Sequence, residues 1–311
     1  MTARKSRALT NAGRKFLDAA VEIQLDRATP ADLAYIARQF VQATLPHSDP
    51  KANTWSRKNG NYTLSLQTGF DDQGQAIGLP YGVIPRLLVY WLVTEATRTK
   101  EPVLQLGHNL AAFMRELGLD PTHGGKRGDP QRLEVQMRRF FSARMAFFEQ
   151  LDEGGRRGEA AEFMQVARSY VLWWDSKQPQ QGALWGSSVK LDREFFEAIT
   201  AAPIPVDMRA LKALKRSPLA LDLYALCSYE AFRLERTGRA RVIPWRALMK
   251  QLGADYDRAD KEDAAKDFAR NCRLALRKIA AVMPSLKLGN VKGGLAILPG
   301  SRPAIEARPK A

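Results

Sequence analysis

The chain has 311 residues and carries 48 Lys and Arg against 33 Asp and Glu, a formal charge of +15. With 45% hydrophobic and 9% aromatic residues it has the make-up of a folded protein, which excludes a disordered, fibrous or disulfide-stapled chain. The length suffices for two medium domains, and a pI near 10.0 points to a polyanionic partner, because clustered cations release counterions from a phosphate backbone.

Residues 1–30 read as a basic arm or short helix. The segment 31–45 spaces Leu33, Ile36, Ala37, Phe40 and Val41 at i, i+3, i+4 and predicts an amphipathic helix. A polar loop over 47–60 leads into an alternating strand at 62–67 and a turn at 71–74. A long helix is expected over 84–98, with Pro85 in its first turn, where a missing N–H costs nothing. The apolar run Leu87 to Val93 is far shorter than the roughly 20 residues that span a bilayer. The basic N-terminus has no apolar stretch behind it, so no secretory signal is expected. With two cysteines, Cys227 and Cys272, the chain suits a reducing, cytoplasmic setting.

A short strand at 103–106 precedes a helix that Asn109 can cap, Leu117 ends and Gly118 closes. A Gly-rich turn at 123–128 leads to a predicted helix over 130–150. Strands then follow at 162–174 and 183–191, joined by a polar loop at 175–182. The same order returns as a helix at 218–236, a strand at 240–243, a helix at 244–252 closed by Gly253, a helix at 261–282, and a hairpin of 285–289 with 295–298. Sliding the sequence by 135 residues without a gap places Leu88 on Leu223, Glu95 on Glu230, Ala96 on Ala231 and Arg98 on Arg233. It also places Ala112 on Ala247, Met114 on Met249, Leu117 on Leu252, Gly118 on Gly253, Asp120 on Asp255 and Arg138 on Arg273. Identities at core and cap positions in one register indicate an internal repeat.

A helix, a short strand, two helices across a tight turn and a hairpin are the parts of a winged helix-turn-helix, whose second paired helix enters the DNA major groove. The fold expected is therefore α+β, mainly helical, with two tandem winged helix-turn-helix domains related by the repeat. The arm spans 1–30, the domains 31–205 and 206–300, and the tail 301–311. In the helix over 261–282, Lys266, Arg270, Arg273 and Arg277 are spaced by four, three and four residues and form a basic stripe, with Asn271 beside it. Arginine suits bidentate contact with guanine, and asparagine suits adenine. Arg132, Arg138 and Arg139 repeat the theme in the first unit, and Lys287 and Lys292 on the last hairpin can neutralise phosphates. Leu133, Met137, Phe140, Phe141, Met145 and Phe148 give the first of these helices a wide apolar face, which suggests packing against another subunit.

Residues for a reaction are not evident. His47, His108 and His123 are isolated, which leaves no metal-ligand spacing, and the segment 123–128 departs from a phosphate-binding loop. No enzyme activity, cofactor or metal is expected. A rolling-circle nicking enzyme using Tyr170 or Tyr224 would lack its histidine cluster.

Several phrases resemble the RepA family of plasmid replication initiators. They are Leu79-Pro80-Tyr81-Gly82-Val83-Ile84-Pro85-Arg86-Leu87-Leu88, Thr94-Glu95-Ala96, Phe113-Met114-Arg115-Glu116-Leu117-Gly118, Arg57-Lys58-Asn59-Gly60-Asn61, Val206-Asp207-Met208-Arg209-Ala210-Leu211 and Ser217-Pro218-Leu219-Ala220-Leu221-Asp222-Leu223-Tyr224. The resemblance implies a DNA-binding protein of plasmid DNA replication that binds directly repeated origin sites (iterons), helps open the duplex and recruits the host initiator and replicative helicase. It further implies autoregulation as a homodimer, and with it copy control. A winged-helix transcriptional repressor is the alternative within DNA binding.

Overall fold

A computed structural model describes residues 10–122, 125, 128–174, 186–253 and 261–305. Two long helices form its centre, α3 (Val83–Thr99) and α8 (Pro218–Thr237). Both are buried on most sides, α3 through Ile84, Leu88, Tyr90 and Leu92 and α8 through Leu219, Leu223, Tyr224 and Leu226. Ser217 caps α8 by accepting the Ala220 N–H at 3.2 Å, and Gly238 ends it in the left-handed conformation at φ 63°.

Around α3 follow β4 (Val103–Gln105), α4 (Leu110–Glu116), α5 (Asp129–Phe141), β7 (Ala167–Val171) and β8 (Ser188–Leu191). Around α8 follow β10 (Arg241–Pro244), α9 (Trp245–Leu252), α10 (Lys261–Val282), β11 (Leu288–Gly289) and β12 (Gly294–Ile297). The strands form antiparallel sheets of order β4-β8-β7 and β10-β12-β11, so in each the first strand pairs with the last. Asn109 Oδ1 accepts the Ala112 N–H at 2.7 Å, as the cap requires, and Gly118 takes φ 73° behind α4.

Four expectations need correction. The segment 31–45 is not one helix but β1 (Leu33–Ala37) followed by a short α2 (Arg38–Gln42). Its apolar residues satisfy both periods, and antiparallel pairing with β9 (Pro203–Asp207), 170 residues from Leu33 to Pro203, selects the extended form. Within the expected loop at 47–60 lies β2 (Thr54–Asn59), paired with β3 (Tyr62–Gln67). The helix predicted over 130–150 stops at Phe141, and β5 (Arg144–Glu153) takes over, turning at Gly154 and Gly155 into β6 (Arg156–Gln165). Met145 and Phe147 alternate into the core opposite Leu66 and Leu64, which a helix could not achieve. The strand expected over 162–174 is divided at Val166 between β6 and β7. The turn at 123–128 and the loop at 175–182 lie mostly or wholly outside the described residues.

The sheet β2-β3-β5-β6 is joined to α5 through a close approach. A Cβ on Gly69 would lie 2.3 Å from Ser142 Cβ and 2.6 Å from Ser142 O, so only glycine fits where β3 passes the end of α5. The helix α1 (Asn11–Leu25) packs on α10 and on α7 (Met208–Leu214), with Gln24 Nε2 donating to Ala281 O at 2.9 Å. The remaining helix, α6 (Arg193–Ala201), packs on α3 and β6. One buried apolar cluster runs from Ala20 to Ile297 through both sets of elements.

Candidate nucleic-acid interface

On α10, Phe268, Cys272, Leu276 and Ile279 are buried, which turns Lys266, Arg270, Arg273 and Arg277 to solvent along the opposite side. Lys266 lies 3.4 Å from Asp263 and Arg270 lies 3.0 Å from Asp267, both exposed pairs one turn apart. Such pairs contribute little, so a phosphate can replace the carboxylate at small cost. Among the described residues Arg273 and Arg277 have no carboxylate partner. Arg273 instead lies over the Trp245 ring at 5.3 Å. The backbone N–H of Trp245 donates to Gly293 O at 2.9 Å, so one residue joins α9, α10 and the last hairpin. Lys292 stands at the turn of that hairpin, and exposed Lys287 lies on its approach, where its backbone N–H donates to Ser301 Oγ at 2.9 Å.

Asn271 is placed differently. It leaves the stripe by about 100° around the helix and lines a crevice with His47, Ser217, Leu219 and Lys278. On α5 the three arginines do not form one stripe. Arg132 and Arg138 are more than half exposed and pair with Asp129 at 3.0 Å and Glu134 at 3.2 Å. Arg139 is only 19% exposed, contacts Asp49 Oδ2 and Leu79 O at 3.4 Å and lies over Tyr81 at 5.4 Å. Together with Gln136 Oε1, which accepts the Tyr81 N–H at 3.0 Å, it fastens α5 to the segment 78–81. The wide apolar face expected over 130–150 is divided: Leu133, Met137, Phe140 and Phe141 are core, whereas Phe148 lies on β5 against Phe163.

Sequence reasoning missed a buried ionic cluster between α3 and α8. Arg86 Nε and Nη2 donate to Asp222 Oδ1 and Oδ2 at 2.7 and 2.8 Å. The same guanidinium donates to Leu45 O, Pro46 O and Gly82 O at 2.6, 3.0 and 2.7 Å, and His47 Nε2 lies 2.8 Å from Asp222 Oδ2. Burial alone would push the Asp222 carboxyl up, but the Arg86 guanidinium and the His47 hydrogen bond overcome this and hold it below its ordinary value. The signal was present as one charge in each of two apolar runs, because a charge buried in such a run needs a partner.

Groups with potential for chemistry are mostly enclosed. Tyr224 is fully buried and accepts the Asp207 N–H at 3.0 Å, and burial raises its phenol above the ordinary value. Tyr170 is 38% exposed with its ring against Phe141. Burial pushes the Cys227 thiol up to about 12 and also raises Cys272. Among the described residues no group of three or more His, Cys, Asp or Glu could hold a metal ion, and no helix is long and apolar enough to cross a membrane.

The model of the plasmid-encoded RepA protein family matches residues 79–247, just over half of the chain. This stretch runs from the segment anchored by Arg139 through α3, α5 and α8 to the start of α9. The protein is of the plasmid replication initiator class. It belongs to the plasmid-encoded RepA protein family. No curated protein sequence matches it. Among solved structures it is similar to a selenomethionine derivative of domains 2 and 3 of RctB, at 12% identity and TM-score 0.47, covering 86% of this chain and 98% of that one. A second structure of RctB domains 2–3 is similar at 11% identity and TM-score 0.43, covering 83% and 94%.

Proposed function

We propose that the chain initiates plasmid replication by binding repeated origin duplex sites through two tandem winged-helix units, 31–205 and 206–300, with no covalent chemistry of its own. The observation that carries this reading is α10: a basic stripe on a helix that precedes a β-hairpin, fixed to that hairpin and to α9 by Trp245. In a winged helix this is the helix that enters the major groove, and the hairpin reaches the flanking backbone. Arg273 and Arg277 read base edges, Lys266 and Arg270 exchange their carboxylate partners for phosphates, and Lys287 and Lys292 hold the backbone. Arg132 and Arg138 give α5 a weaker version of the same surface. Arg139 acts by holding α5 in place, and Asn271 acts from the flank.

Binding of several copies to adjacent repeats bends the duplex, and the strain opens an A·T-rich segment. Host initiator and helicase then enter the open region. The same sites near the promoter give autoregulation by a homodimer.

The test is a titration of the purified protein against a duplex carrying the direct repeats beside its own gene and a scrambled duplex, each at two salt concentrations. Strong preference for the repeats, with one protein added per repeat and opening detected by permanganate, supports initiation. Preference for an inverted repeat without opening makes the chain a repressor. Equal, salt-sensitive binding to both duplexes refutes sequence reading, and a covalent protein–DNA adduct refutes the absence of chemistry.

A further inference from the structure

We infer that the buried Arg86–Asp222 pair is a positioning device that locks the two units into one rigid ruler, so that the chain recognises the spacing within its DNA site as well as its bases. The inference rests on the two-unit DNA-binding reading above.

The pair joins equivalent helices of the two units. Arg86 lies in the first turn of α3 and Asp222 early in α8, and α5 packs on α3 as α10 packs on α8. The two DNA-facing helices are therefore connected through this ionic joint, set within the apolar seam that the two units share. That joint is bidentate, 4% and 8% exposed, and three backbone carbonyls complete the coordination of the guanidinium. A buried ion pair adds little net stability over apolar side chains of the same volume, yet it tolerates only one geometry. A planar guanidinium with five donors at fixed angles is suited to fixing an orientation. Further contacts hold the same seam. Tyr90 Oη donates to Leu221 O at 3.2 Å, and Gln251 Nε2 donates to Val41 O at 2.7 Å.

B-DNA turns once in about 10–10.5 base pairs, so inserting five at the centre of a site moves one half to the opposite face of the helix. A rigid pair of units cannot follow, whereas units on a flexible joint can. The experiment uses the full chain, one repeat from its own origin, and the same repeat with two and five base pairs inserted centrally.

For the wild type, affinity should fall at least about 30-fold on the five-pair insertion, since the binding of one whole unit is lost. The double variant Arg86→Met/Asp222→Leu should stay folded with a lowered thermal midpoint, because Leu45 O, Pro46 O, Gly82 O and His47 lose these partners, and should lose this dependence, binding inserted and native repeats within about threefold of each other. Full retention of the spacing penalty by a folded double variant would overturn the inference. Hydroxyl-radical footprints of the wild type give a test that needs no variant. A ruler loses one protected patch on the inserted site, and a flexible tandem keeps both patches and shifts one by the inserted length, which would equally overturn the inference. If the wild type shows no preference for the native repeat, the DNA-binding reading itself has failed, a result distinct from either of these.

Discussion

Replacing Arg273 by alanine separates base reading from general attraction to DNA. Arg273 is exposed, lies 5.3 Å above Trp245 and has no carboxylate partner among the described residues, so its removal strands no buried charge. The lost cation–π contact costs about 0.5–1 kcal/mol of stability at an exposed site, too little to unfold the chain. A lost bidentate base contact costs about 1–3 kcal/mol of discrimination, a factor of roughly 5 to 150 in the ratio of repeat to scrambled affinity. Fluorescence anisotropy on both duplexes at about 50 and 200 mM salt measures that ratio and the salt slope together. Arg273→Ala should lower the ratio with little change in slope. Arg273→Lys, which keeps the charge but not the fork, should lower the ratio as well and leave affinity for scrambled DNA unchanged. Unchanged affinity of Arg273→Ala for both duplexes would refute the placement of α10 in the groove.

Three further outcomes are expected. Gly69→Ala drives a Cβ to 2.3 Å from Ser142 Cβ, so overpacking should cost about 1–3 kcal/mol in urea denaturation, and Ser142→Gly should recover part of it. Phe113→Ala removes a fully buried ring that meets Trp91 edge-on at 5.1 Å, and the cavity should cost about 3–5 kcal/mol in the same assay. The Asp222 carboxyl is held below its ordinary value of 3.8, so its contribution is complete above that pH and is lost as pH falls through the lower folded value. The stability gap between wild type and Asp222→Asn should therefore be constant near neutrality and shrink below about pH 4; a gap that persists unchanged to pH 3 would show that folding does not lower the Asp222 carboxyl.

How far the sequence could be read depended on whether a segment admitted one period or two. The second half was legible because its helices carry unambiguous ends, such as Ser217 and Gly238 about α8, and its hairpin turns at Gly293. In the first half, 31–45 and 141–150 fit both helix and strand, and the choice falls to distant partners, Pro203–Asp207 and Tyr62–Gln67. The exposed stripe on α10 was readable from spacing alone, because a solvated face needs no partner. Arg139 looked like its neighbours Arg132 and Arg138, and only the approach of Leu79 and Tyr81, some 60 residues away, half-buries it. Asn271 was placed beside the stripe, and the helical angle carries it toward Ser217 instead.

The single buried cluster that runs from Ala20 to Ile297 bears on how such a protein can evolve. On the two-unit reading proposed above, the halves have no private interiors but share one. A half transplanted into another initiator would present bare leucines where its twin had been. On the function proposed above, new DNA specificity would be reached by changing the outward side chains of α10 and its hairpin, and not by shuffling whole units.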